Sequence, residues 1–153
     1  MLRKFVISSL AIAALTASSL ALAQKAGYGT AGEAKAMLDK AVAAVKADKA
    51  KAIAMFNAGE GGFKDRDLYP FCFQIADGVL VAGAPSLRGK DVRTLKDPTG
   101  KVFGTDVYAA AKDGAVTETG TYMLPRPGET VPSAKVSFVT KVADLGCGVG
   151  YFK

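Results

Sequence analysis

Between positions 30 and 59 apolar residues recur every three or four positions: Ala34, Met37, Leu38, Ala41, Val42, Val45, Ala52, Ile53 and Phe56. That period lays a single apolar stripe along a helix. Thr30 with Glu33 has the form of a capping box, in which each side chain satisfies a free amide of the first turn. Gly59, after Asn57 and Ala58, supplies a left-handed stop. About 28 residues at 1.5 Å each reach roughly 40 Å, so the pattern predicts one long helix whose first turns overhang the body of the domain. The period then changes to two. Tyr69, Phe71, Phe73 and Ile75 alternate with Pro70, Cys72, Gln74 and Ala76, which predicts a strand with one aromatic face. Asp77-Gly78 makes a tight turn, and Val79, Leu80, Val81 and Ala82 return as a second strand.

A turn-rich stretch, GAPSLRGKDVRTLKDPTGK, follows with room for a short helical turn. Phe103, Val107, Ala110 and Ala111 then stand at helical spacing within 102–112, and Asp113-Gly114 stops them. Three more strands are predicted near 115–124, 132–142 and 145–152, separated by Pro125-Arg126-Pro127-Gly128 and Ala143-Asp144. The order is helix, two strands, one or two helices, three strands. This is an α+β pattern that fits a five-stranded antiparallel sheet if the first strand lies centrally and the last returns beside it.

The first 23 residues carry a different signal. Arg3 and Lys4 precede an apolar stretch from Phe5 to Leu22, broken by Ser8, Ser9, Thr16, Ser18 and Ser19 and ending in Ala21-Leu22-Ala23. This is the layout of a cleavable export signal rather than a membrane anchor. Cleavage after Ala23 would leave one domain over 24–153, soluble and periplasmic. Two of the 20 basic residues, Arg3 and Lys4, lie in that leader, so the formal net charge falls from +6 to +4. The lysines of the first half (Lys35, Lys40, Lys46, Lys49, Lys51) sit among alanines at helical spacing without interleaved aromatics, as a solvated helix face does and a nucleic-acid surface does not.

Candidate catalytic chemistry is sparse. The chain has no histidine and no Gly-x-Ser-x-Gly elbow, and Asp77, Asp97, Asp113 and Asp144 sit at turns, so nothing in the pattern points to an enzyme. Neither a Cys/His metal cluster nor a Cys-x-x-Cys-His haem site occurs, and Asp65 with Asp67 lacks the spacing of a calcium loop; no cofactor or metal is implied.

Three segments carry a family resemblance: LYPFCFQIADGVLVAGAPSLRGKDVRTLKDPTGKVF, TYMLPRPGETVPSAKVSFVTKV and GCGVGYF. Together they resemble the single Cache domain, a PAS-like extracellular sensor module, in its free-standing exported form. The resemblance implies the strand order 2-1-5-4-3, and a small ligand, often a short carboxylic acid, held between the sheet and the middle segment. Two departures mark this chain. Gly83 stands where many relatives have a histidine, and Leu124 where a tryptophan is common, so no relative's ligand carries over directly.

Within that frame Lys135, on an otherwise apolar strand, is the candidate main contact for a carboxylate; the other reading is a lysine near a strand start that reaches water. Arg88 is a candidate second contact, or a solvated loop arginine. Tyr69, Phe71, Phe73, Phe103 and Tyr122 are candidate apolar walls, or plain core. Cys72 and Cys147 are expected to form a disulfide, because the compartment is oxidising, the cysteines are even in number and the implied order sets first and last strands side by side. The alternative function is a structural or interaction module, binding a membrane receptor or a second copy through the overhanging helix.

Overall fold

The computed structural model describes residues 27–153. The export signal expected over residues 1–23 lies outside them.

Helix formation begins as the sequence dictates. The Thr30 hydroxyl accepts from the Glu33 amide at 3.3 Å and the Thr30 amide donates to Glu33 Oε2 at 2.9 Å, which completes the capping box. Helix α1 runs Ala31–Ala47, but the single long helix expected is two. Asp48 leaves helical geometry (φ −159°, ψ 100°), and its side chain accepts from the Lys51 amide to cap a second helix, α2, Lys49–Ala58. The reason is local: an aspartate side chain competes for nearby amides and favours a cap over a helix interior. The left-handed Gly59 (φ 70°) then ends α2.

The bend removes the expected overhang. Ala34, Leu38 and Ala41 are fully buried, and α1 lies along the last two strands of the sheet.

The strands are β1 (Pro70–Gln74), β2 (Leu80–Ala82), β3 (Thr117–Glu118), β4 (Tyr122–Pro125), β5 (Pro132–Val142) and β6 (Leu145–Phe152). The sheet is antiparallel, in the order β2-β1-β6-β5-β3, and β4 also pairs with β5. Six strands thus stand where five were expected, because the third is split into β3 and β4. Glu118 faces Phe138 and Tyr122 faces Lys135, so residues 119–121 oppose only 136–137. One extra residue is a bulge. The Thr119 hydroxyl fills the gap in the ladder by accepting from the Ser137 amide at 3.0 Å.

Each face of the sheet carries its own core. On one, α1 and α2 pack with Phe63, Leu68, Cys72, Cys147 and Val149; on the other, Phe73, Leu80, Phe103, Tyr122 and Val139 pack under the middle segment. That segment holds a single 3-10 turn (Val92–Thr94) and helix α3 (Gly104–Ala109). Asp97, almost fully buried, ties its loop together by accepting from Thr99 Oγ1 (2.5 Å) and from the amides of Thr99, Lys101 and Met123. These donors, the Thr99 hydroxyl foremost, hold its carboxyl below the usual range.

Cys72 and Cys147 face each other in the β1–β6 register with Cα atoms 4.1 Å apart, and they are joined by a disulfide. Its sulfurs lie on the helix side of the sheet, opposite the aromatic face of β1.

Candidate functional site

The face of the sheet beneath the middle segment is shaped by what is missing from β6. Gly146, Gly148 and Gly150 alternate along it and present no side chain to that face. Phe73 and Phe71 pair in register with Gly146 and Gly148, and their rings occupy the space that side chains there would take; a Cβ at 148 would meet Phe71 Cζ at 2.5 Å. Beside them the stem of Lys135 crosses Gly150, where a Cβ would run into Lys135 Cε.

Lys135 is the centre of this face. Only 4% of it is exposed, although its strand lies beside an open edge. Its Nζ donates a long hydrogen bond to Tyr69 Oη at 3.4 Å and sits 4.8 Å and 4.7 Å from the ring centroids of Tyr69 and Phe152. Aromatic faces attract a cation but do not neutralise it. Among the described residues no carboxylate forms an ion pair with Lys135. A buried ammonium with no counter-charge among the described residues is costly.

The bulge between β3 and β4 adds the next wall. Glu118 faces the helix side with Phe138, and Tyr122 follows it by an even number of residues, so a regular strand would send both the same way. The extra residue turns Tyr122 to the Lys135 side. There it stacks on Phe103 (centroids 4.3 Å apart, planes 7° apart) and shares a 2.6 Å hydrogen bond with Ser137 Oγ. Burial pushes the Tyr122 phenol well above its usual value, so it stays protonated as a hydrogen-bonding group.

These residues enclose a cavity of about 40 Å³, lined by Lys135, Tyr69, Phe71, Phe103 and Tyr122 together with Leu80, Leu87 and Leu124. At roughly 10–15 Å³ per water position, that is space for about three waters or a two- to three-carbon acid. Five of the seven residues singled out in the sequence therefore come together. Phe73 does not join them: it has no exposed surface and packs against Tyr108, with centroids 5.5 Å apart, so it is core and not wall. Arg88 does not reach this cavity either. It lines a larger cleft of about 460 Å³ on the far side of Tyr69, Gly83, Ala84, Leu87 and Leu124, which border both spaces.

The sequence reading missed Phe152, Ser137 and the three glycines. The glycines had a signal, since a Gly-x-Gly-x-Gly run on a strand leaves one whole face bare. Gly83 has φ 132° and a Cβ there would stand 3.1 Å from Phe71 Cβ, so a side chain at this position would be strained.

The family model for the Cache domain matches residues 34–151. The chain belongs to the Cache domain family. Cache domains are sensory modules that bind small ligands, a role that asks for a pocket and no catalytic group. Solved structures share the fold, three of them as follows. A methyl-accepting chemotaxis protein from Vibrio parahaemolyticus RIMD 2210633 superposes with a TM-score of 0.62 at 22% identity, covering 79% of this chain and 86% of its own. The periplasmic sensor domain of a chemotaxis protein gives 0.58 at 22% identity over 77% and 86%. A Cache chemosensory domain described for its carboxylic acid recognition gives 0.57 at 21% identity over 77% and 84%. Among curated proteins, none matches the sequence.

Proposed function

We propose that this chain is a periplasmic sensor domain that binds a short carboxylate, with Lys135 as the charged contact. The observation that carries the reading is a lysine almost wholly buried at a cavity wall, with rings around it and no anionic partner among the described residues. A carboxylate supplies the missing charge, and Tyr69 Oη stands beside the ammonium to donate to a second oxygen. Phe71, Phe103 and the leucines suit a short alkyl end. The solved Cache domain described for carboxylic acid recognition supports the ligand class, and the export signal read over residues 1–23 supports the compartment. The alternative of an interaction module working through the first helix has less support, because the apolar stripe of α1 is consumed by the sheet.

Calorimetry and thermal shift with acetate, propionate and longer acids test the proposal. A bound acid at 100 times its dissociation constant adds about 2.7 kcal/mol to stability. Lys135→Met keeps the apolar stem and removes the charge, and it should weaken binding by roughly 100-fold. Equal affinity in the two proteins, or no stabilisation by any short acid, defeats the assignment.

A further inference from the structure

The cleft that holds Arg88 is about tenfold larger than the Lys135 cavity and differs from it in kind. Its boundaries are the C-terminal end of α2, the 83–88 loop and the 124–127 turn. Four cationic side chains line it, Lys64, Arg66, Arg88 and Arg126, and no carboxylate does. Arg66 is neutralised by Glu33 and Asp65 at its back. Arg88 is not: it is half-buried, and its guanidinium has neither a hydrogen bond nor an ion pair with any described residue. Arg126 is ion-paired with the buried Asp67 but only partly hydrogen-bonded. Nη1 donates to Ser133 Oγ at 2.9 Å, whereas Nε is buried with no hydrogen bond, 3.7 Å from an Asp67 oxygen that also lacks one.

Between these cations the surface is apolar, formed by Tyr69, Pro85, Leu87 and Leu124 over the buried rings of Phe56 and Phe63. The wall bearing Arg88 is held in place. The amides of Leu87 and Arg88 both donate to Ala84 O, Gly89 donates to Leu80 O, and Asn57 ties the loop's start to α2 by bonding Val81 O and the Gly83 amide. A preformed cleft loses little entropy on binding.

We propose that this cleft is a second binding site, for an organic anion with an apolar body too large for the Lys135 cavity: an aryl or medium-chain carboxylate or sulfonate. The anionic group meets Arg88, with Lys64 adding to the field, and the body lies on Tyr69, Leu87 and Leu124. The volume falls within the range of roughly 300–1,000 Å³ typical of sites for ligands of this size. Only a partition of side chains, Tyr69, Leu87 and Leu124, separates it from the smaller cavity, so the two sites are independent in charge but share a wall.

The test uses 8-anilinonaphthalene-1-sulfonate, an aromatic anion, on the native domain. The protein contains no tryptophan, so probe fluorescence is read without that background. Saturable enhancement at one probe per chain is expected, reversed by octanoate and not by saturating acetate. Arg88→Ala should weaken the probe by about tenfold, the loss expected for one charge-assisted contact, and Arg88→Lys should recover part of it, with circular dichroism confirming that both variants are folded. Three results each overturn the proposal: no saturable binding to the folded protein, an unchanged affinity in Arg88→Ala, or displacement by acetate, which would make the two spaces one site. If acetate fails to bind while the probe still does, the Lys135 reading falls and this one stands.

Discussion

At the scale of single residues, the site depends on an absent side chain as much as on a charge. Gly150 clears the path along which Lys135 runs, and a Cβ there would meet Lys135 Cε and come within 2.8 Å of Ser137 Oγ. Gly150→Ala is therefore expected to displace the ammonium without removing it. Overpacking of this kind costs about 1–3 kcal/mol, so the variant should stay folded while its affinity for a short acid falls tenfold or more. Parallel melting curves and calorimetry check both halves; wild-type affinity in Gly150→Ala would show that the lysine's position does not matter. Tyr69 is the other decisive residue, because it touches the ammonium and borders both cavities.

Among the elements, the bulge between β3 and β4 determines which face Tyr122 joins. Thr119 holds it by replacing the missing backbone acceptor for Ser137, a fully buried residue. Thr119→Val keeps the shape and removes that acceptor. Leaving a buried amide unsatisfied costs about 1–3 kcal/mol, which urea unfolding would register as a lower midpoint. An unchanged midpoint would mean that water or another group takes over and that the hydroxyl does not set the bulge. The break at Asp48 is a second element-level decision. It folds α2 back over β1 and β2, so that Phe56 and Asn57 reach the larger cleft instead of extending past the sheet.

For the whole molecule, the disulfide is the principal covalent constraint. It joins strands 75 residues apart in sequence across the centre of the sheet, on the face opposite the cavity. Closing a loop of that length stabilises the fold by about 4 kcal/mol in the chain-entropy model, a large part of the roughly 5–15 kcal/mol that a domain has in all. Replacing both cysteines by alanine should therefore lower the melting temperature by roughly 10–20 °C in calorimetry. Thiol titration of the unfolded, unreduced protein should find neither cysteine reactive; two reactive thiols would show the bridge unformed. Because the staple lies away from Lys135, any folded double variant should bind a short acid with nearly wild-type affinity.

Local periodicity and capping chemistry determined much of this protein before any fold was visible. The stripe over 34–56, the Thr30–Glu33 cap, the Gly59 stop, the Asp77-Gly78 turn and the strands at 70–74, 132–142 and 145–152 depend on neighbours in the chain, so they are legible there. The neighbouring of the strands that carry Cys72 and Cys147 followed from the order the family resemblance implied, while the register that sets them face to face came from the structure. What the tertiary structure decided is which face each residue serves. Alternation placed Tyr69, Phe71 and Phe73 together but not over the glycines, and it could not separate Phe73, buried against Tyr108, from Phe71, which lines the cavity. Nor could it detect the bulge that turns Tyr122, since one inserted residue reverses every side chain after it while leaving composition and spacing almost unchanged. Arg88 and Lys135 both read as anion contacts in the sequence. Only packing put a wall of Tyr69, Leu87 and Leu124 between them, because the separation of two side chains is set by how the loop at 83–88 closes on the sheet and not by any local pattern.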